Sequence, residues 1–205
     1  MSSFSQGLRS QLQGQPLKQL GNKLGLAPTQ AASAVAAAVP LLIGALGRNT
    51  REPQGAESLF NALQKDHAGL DINSVLGSAI SGGGQGEQIL DHVFGERRPM
   101  AAQGLGSATG LQTEKAHALL RLLAPVVMAY VAKRIFDRRS GASITAPVPP
   151  SPQALGDELG HEEVRITKQA GIGGGLLSAV LDRNHDGSVD FSDLTGARGQ
   201  NQRVG

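Results

Sequence analysis

Ala34-Val35-Ala36-Ala37-Ala38-Val39-Pro40-Leu41-Leu42-Ile43 and, 85 positions further on, Leu119-Leu120-Arg121-Leu122-Leu123-Ala124-Pro125-Val126-Val127-Met128 decide the fold. The first stretch is apolar nearly all round, the pattern of a helix buried on every side. Superposing Pro40 on Pro125 brings Leu20-Gly21 onto Leu105-Gly106, Gly25-Leu26 onto Gly110-Leu111, and Ala31 onto Ala116. Val35 then falls on Leu120 and Ala38 on Leu123. A repeat uses one packing solution twice. The pattern therefore predicts two pseudo-equivalent central helices, over about 29–46 and 113–137, lying against each other. Proline lacks an N–H and clashes with the preceding turn, so each helix is expected to kink or restart at its proline.

Shorter helices are expected around this pair. Residues 56–66 are amphipathic, with Leu59, Phe60 and Leu63 on one stripe. Asp71 is placed to cap a helix over 72–80, which ends at Ser81-Gly82-Gly83-Gly84. Residues 88–94 turn Ile89, Leu90, Val93 and Phe94 inward and stop at Gly95. Pro99 suits the first position of a further helix reaching about Gly104. No stretch alternates β-branched residues, and the fold class is all-α: a compact helical bundle. Ser140 to Gln153 holds four of the ten prolines and reads as an extended linker. This divides the chain into a helical body over 1–139, a linker over 140–153 and a C-terminal part over 154–205. The last part is read as short helices, a loop and a polar, glycine-rich tail.

Composition narrows the function. Aromatic residues are 3% of the chain and Trp is absent, so the core is Ala and Leu, as suits closely packed helices. Net charge is +2, from 19 basic and 17 acidic residues, and gives no reason to expect a nucleic-acid partner. The basic run from Lys133 to Arg139 reads as the solvated, dipole-compensating end of a helix. Cysteine is absent, which rules out disulfides and thiolate chemistry. The N-terminus has no basic segment followed by an apolar one. The two apolar stretches are interrupted by proline or charge, so they read as core helices and not membrane spans. A soluble cytoplasmic protein, with neither nucleic acid nor membrane as partner, is the expectation.

The one clear chemical signal lies between Asp182 and Asp193. In Asp182-Arg-Asn184-His-Asp186-Gly187-Ser188-Val189-Asp190-Phe-Ser-Asp193, oxygen-bearing side chains alternate, and a glycine follows the third. A hard cation takes several oxygen ligands, which a short loop supplies by wrapping around it. In the EF-hand scheme Asp182, Asn184 and Asp186 give side-chain oxygens and Gly187 makes the bend. Ser188 gives its carbonyl, Asp190 acts at the ninth position and Asp193 closes the loop. Aspartate at the twelfth position is one methylene shorter than the usual glutamate. The expected cofactor is one Ca²⁺, or Mg²⁺ in its place, with an affinity of about 10⁻⁶ to 10⁻³ M from ligand count. No second acidic loop accompanies it, and without metal the same residues would make an Asx-rich turn.

The Gly-Leu helix start, the run Leu122 to Met128, the segment Gln88 to Gly95 and the trailing Gly174-Gly175-Leu176-Leu177 with its Leu181 to Ser188 loop together resemble the bacterial YidB-like family. The resemblance spans about residues 16–194. It implies an all-helical domain of no established activity and brings no catalytic residues with it.

Other motifs dissolve on inspection. Gly104 to Gly110 has the glycine spacing of a dinucleotide fingerprint, but no strand precedes it; helix-turn glycines fit better. His161-Glu162-Glu163-Val164-Arg165 begins like a zinc-protease helix, yet Arg165 stands where the second histidine belongs. It reads as a polar surface segment. No Gly-x-Ser-x-Gly elbow is present. His67, His92, His117, His161 and His185 are scattered, and His92 and His117 read as ordinary, partly exposed helix residues. The functional expectation is a non-catalytic structural or interaction protein with one calcium loop; the alternatives are a metal-free helical scaffold with a membrane-peripheral role and an enzyme of an unrecognised kind.

Overall fold

The computed structural model describes residues 3–137 and 150–168, and among these there is no strand. Helix α1, Phe4–Gln11, starts where the Ser3 side chain accepts from the Gln6 N–H at 3.1 Å. This satisfies one of the unpaired donors of a first turn. Its Phe4 meets Tyr130 edge to face with ring centres 6.2 Å apart, and the Arg134 guanidinium lies 4.5 Å over the same ring. Part of the basic run thus covers an aromatic residue as well as ending a helix.

Helices α2 (Gln15–Leu24) and α3 (Pro28–Asn49) are joined by Gly25, whose φ is 60°. Further along, α7 (Arg98–Thr109) and α8 (Thr113–Phe136) are joined by Gly110, with φ 70°. Only glycine takes this left-handed conformation without steric cost. Each turn closes by the same bond: the Leu26 N–H to the Gly21 carbonyl at 2.9 Å, and the Leu111 N–H to the Gly106 carbonyl at 3.0 Å. This is the glycine-capped helix stop that satisfies stranded carbonyls. The glycines of the 104–110 segment accordingly belong to a helix and its cap.

Both central helices run on through their prolines, Pro40 and Pro125, without restarting. Burial on most sides overrides the lost bond. Ala34, Ala38, Val39, Leu41 and Ile43 of α3 are wholly enclosed, as are Leu120, Leu123, Val126 and Val131 of α8. Truncating one such Leu to Ala costs about 2–5 kcal/mol. Among the described helices, α3 alone is long and apolar enough to cross a bilayer, and 72% of its apolar window is buried in the body.

Between the two central pairs run α4 (Pro53–Ala62), a π-helical turn over Leu63–His67, α5 (Ile72–Ile80) and α6 (Gly86–Phe94). Asp71 caps α5 as its sequence predicts, accepting from the Ser74 N–H at 3.1 Å. A single 3₁₀ turn, Gly95–Arg97, links α6 to α7. Helix α6 packs on α8 one turn before Pro125. That residue has no N–H to offer the Arg121 carbonyl, four residues back. Gly86 packs against this carbonyl oxygen, and a Cβ at position 86 would collide with it.

Helix α9, Pro152–Lys168, begins two residues inside the stretch that reads as linker and packs on α3 and α4. It corrects one expectation. Glu162 and Glu163, read as surface residues, are each only 3% exposed. The Ser5 N–H and hydroxyl both donate to Glu162 Oε1, at 3.1 and 2.6 Å. Arg51 grips Glu163 through two nitrogens, at 3.1 and 2.9 Å. Hydrogen-bonded partners of this kind are what allow a carboxylate to be buried. The sequence shows the charges but not the partners, which lie more than a hundred positions away.

Candidate functional site

Asp182, Asn184, Asp186, Ser188, Asp190 and Asp193, the expected calcium ligands, lie outside the described residues. Among the described residues no group of three or more His, Asp or Glu side chains is placed to hold a metal ion. What the described body does contain is a cavity of about 510 Å³. It lies between the C-terminal end of α3, helix α4 with its π-turn, and α6.

The walls follow from elements already placed. Leu46, Leu59, Ile89, Val93 and Met128 supply an apolar floor. Asn49, the last residue of α3, ties two walls together: its Nδ2 donates to the His92 and Val93 carbonyls, at 3.2 Å each. Those carbonyls belong to the last turn of α6, where the helix has no donors of its own. The cavity therefore has a fixed corner. Around the mouth stand Glu52, Ser58, Asp66, Gln85, Gln88 and His92, all exposed.

Two histidines border this space, and their states differ. His92 Nδ1 is engaged with the Gln88 carbonyl of its own helix at 2.8 Å. His67 is 7% exposed, and its Nδ1 is buried without a hydrogen-bond partner. Burial lowers the pKa of the His67 imidazole from its ordinary 6.5, against the pull of the neighbouring Asp66 carboxylate. At neutral pH it is an uncharged ring. A buried, unsatisfied polar atom costs about 1–3 kcal/mol, and such groups in a native protein call for a reason. His67 also ends the π-turn, a rare distortion that is frequent at functional sites.

Sequence reasoning stopped the apolar stripe of α4 at Leu63 and counted His67 among scattered histidines. The missed signal is spacing: Phe60, Leu63 and His67 continue one helical face. His117 lies on α8, with Nε2 3.4 Å from Glu87 Oε1, and does not line the cavity.

The model of a bacterial protein family of unknown function, DUF937, matches residues 6–134. This span takes in nearly all of α1 to α8, including the cavity. The chain belongs to the DUF937 family. No curated protein and no solved structure matches the chain. The matched DUF937 span ends within α8, and α9, with its buried Glu162 and Glu163, lies beyond it.

Proposed function

We propose that this DUF937 protein is a non-catalytic, cytoplasmic interaction module of the YidB-like kind, with one Ca²⁺ held by a C-terminal loop. The ligands are Asp182, Asn184, Asp186, Asp190 and Asp193 with the Ser188 carbonyl; Mg²⁺ competes for the same oxygens. The observation that carries this reading is the spacing itself: alternate oxygen-bearing residues, Gly187 at the bend and a closing carboxylate. So many carboxylates within twelve positions repel one another unless a cation gathers them.

The matching bonds of Leu26 to Gly21 and Leu111 to Gly106 favour descent of the two helical pairs from one duplicated unit. A duplicated scaffold presenting a loop fits a binding role better than a reaction.

Thermal unfolding tests the loop. Ca²⁺ at 100 times its dissociation constant stabilises the chain that holds it by about 2.7 kcal/mol. The melting temperature should rise with millimolar Ca²⁺, and Asp182→Ala should abolish the rise. A melt indifferent to Ca²⁺ in the unsubstituted chain rejects the loop.

A further inference from the structure

We infer that the cavity between α4 and α6 is a binding site for a small amphipathic molecule with an apolar, ring-sized body and an uncharged or cationic head. The inference is independent of the proposed calcium loop, whose residues are not among the described ones.

Size sets the scale. A space of about 510 Å³ falls in the range that encloses a drug-sized ligand, and most such sites are apolar with a few placed polar groups. Leu59, Ile89, Val93 and Met128 give this site its apolar lining. The body of the ligand is therefore a hydrocarbon or aromatic unit, held by burial of its surface.

Charge sets the head. The carboxylates of Glu52 and Asp66 stand at the mouth, and no Lys or Arg is among the lining residues. An anionic head entering here meets like charge and loses its water without a partner. A cationic or uncharged head meets carboxylates, the Gln85 and Gln88 amides and the Ser58 hydroxyl instead.

His67 sets the specificity. It is one of the lining residues, it is more than nine-tenths buried, and its Nδ1 is enclosed without a partner. A hydrophobic residue of similar size would seal the same wall without leaving that atom unsatisfied. The imidazole is thus the kind of group that a binding site keeps against stability. A turn of the ring about its Cβ–Cγ bond presents the nitrogen to a bound molecule, a side-chain adjustment ordinary on ligand entry. The hydrogen bond that Nδ1 lacks within the protein is then made with the ligand.

The chain contains no Trp, so the fluorescence of an indole probe reports its own surroundings without protein background. The full-length protein is titrated separately with tryptamine, tryptophol and indole-3-acetate, which share one ring and carry cationic, neutral and anionic heads. Tryptamine and tryptophol are expected to give saturable blue shifts, with indole-3-acetate at least about tenfold weaker. Ala62→Phe, at a half-buried lining position, should abolish both shifts. Should that variant fail to fold, the ring-proton resonances of the unsubstituted protein serve instead. On tryptamine addition those of His67 and His92 move, while that of His161, which does not line the cavity, stays. His67→Leu should bind tryptophol at least about fivefold more weakly, yet melt at a higher temperature than the parent. Three results overturn the inference: no saturable shift with tryptamine or tryptophol up to about 5 mM, indole-3-acetate bound as tightly as tryptamine, or histidine resonances that do not respond.

Discussion

The Nδ2 of Asn49, at the end of α3, donates to the carbonyl of Val93, at the end of α6, across 3.2 Å. A second bond of equal length reaches the His92 carbonyl. One side chain thus fixes the angle between two helices and the corner of the cavity. An aliphatic residue at position 49 leaves two terminal carbonyls without that donor. Asn49→Leu should cost about 1–3 kcal/mol, read by urea unfolding. It should also loosen the cavity, seen as faster amide exchange over the last turn of α6 than elsewhere in the body.

Gly86 abuts the Arg121 carbonyl that Pro125 leaves outside the helical ladder. Gly86→Ala improves helix propensity, yet its methyl collides with that oxygen. The collision dominates, because overpacking costs about 1–3 kcal/mol against about 1 kcal/mol gained in propensity. The variant is expected to unfold at lower urea concentration. An unchanged midpoint would mean that α6 does not sit where it is placed here.

Glu162 holds α9 to α1 through two bonds to Ser5. Glu162→Gln keeps an acceptor oxygen at that place, and Glu162→Ala leaves the buried Ser5 donors unpaired. The alanine variant should be the less stable of the two by about 1–3 kcal/mol. Equal stability of the two would show that the Ser5 bonds add nothing to what Arg51 and the apolar face, Leu155, Leu159 and Ile166, already supply to α9.

Two buried groups set opposite pH dependences. The pKa of His67 is lowered by burial, so the unfolded chain takes up its proton first. Stability therefore does not vary with this group above about 6.5 and falls as pH drops below that value toward the folded-state pKa. The pKa of Glu163 is raised by burial, against Arg51 and Arg48. The folded chain therefore holds that proton longer, and stability declines as pH rises from 4.5 toward the raised value. In urea unfolding at several pH values, His67→Leu should flatten the loss below 6.5, and Glu163→Gln should flatten the decline above 4.5. If neither variant alters the profile, these two groups do not govern it.

Much of the fold was legible from local signals. The apolar runs around Pro40 and Pro125 gave both central helices and Asp71 gave the start of α5, whereas α7 runs on past the expected end near Gly104 to Thr109. Local reading failed where the deciding partner is distant in the chain. The 161–165 segment looked solvent-facing because nothing near it announces Ser5 or Arg51. The prolines looked like breaks because a lost backbone bond is visible in sequence, whereas the burial that offsets it is not. Helix α1 went unread, since Phe4 and Leu8 acquire an apolar face only against α3 and α8. The cavity was illegible for a related reason: Asn49, His67 and His92 lie on three elements and converge only when these pack. The proposed calcium loop is the reverse case: it is compact in sequence, rests on spacing alone, and lies outside the described residues.

Calorimetric titration of the full-length protein with Ca²⁺ tests the central proposal most directly. The loop between Asp182 and Asp193 predicts a single site per chain, with a dissociation constant between about 10⁻⁶ and 10⁻³ M, and no binding in Asp186→Ala. Absence of heat from the unsubstituted chain at millimolar Ca²⁺, or a site that survives Asp186→Ala, would contradict it.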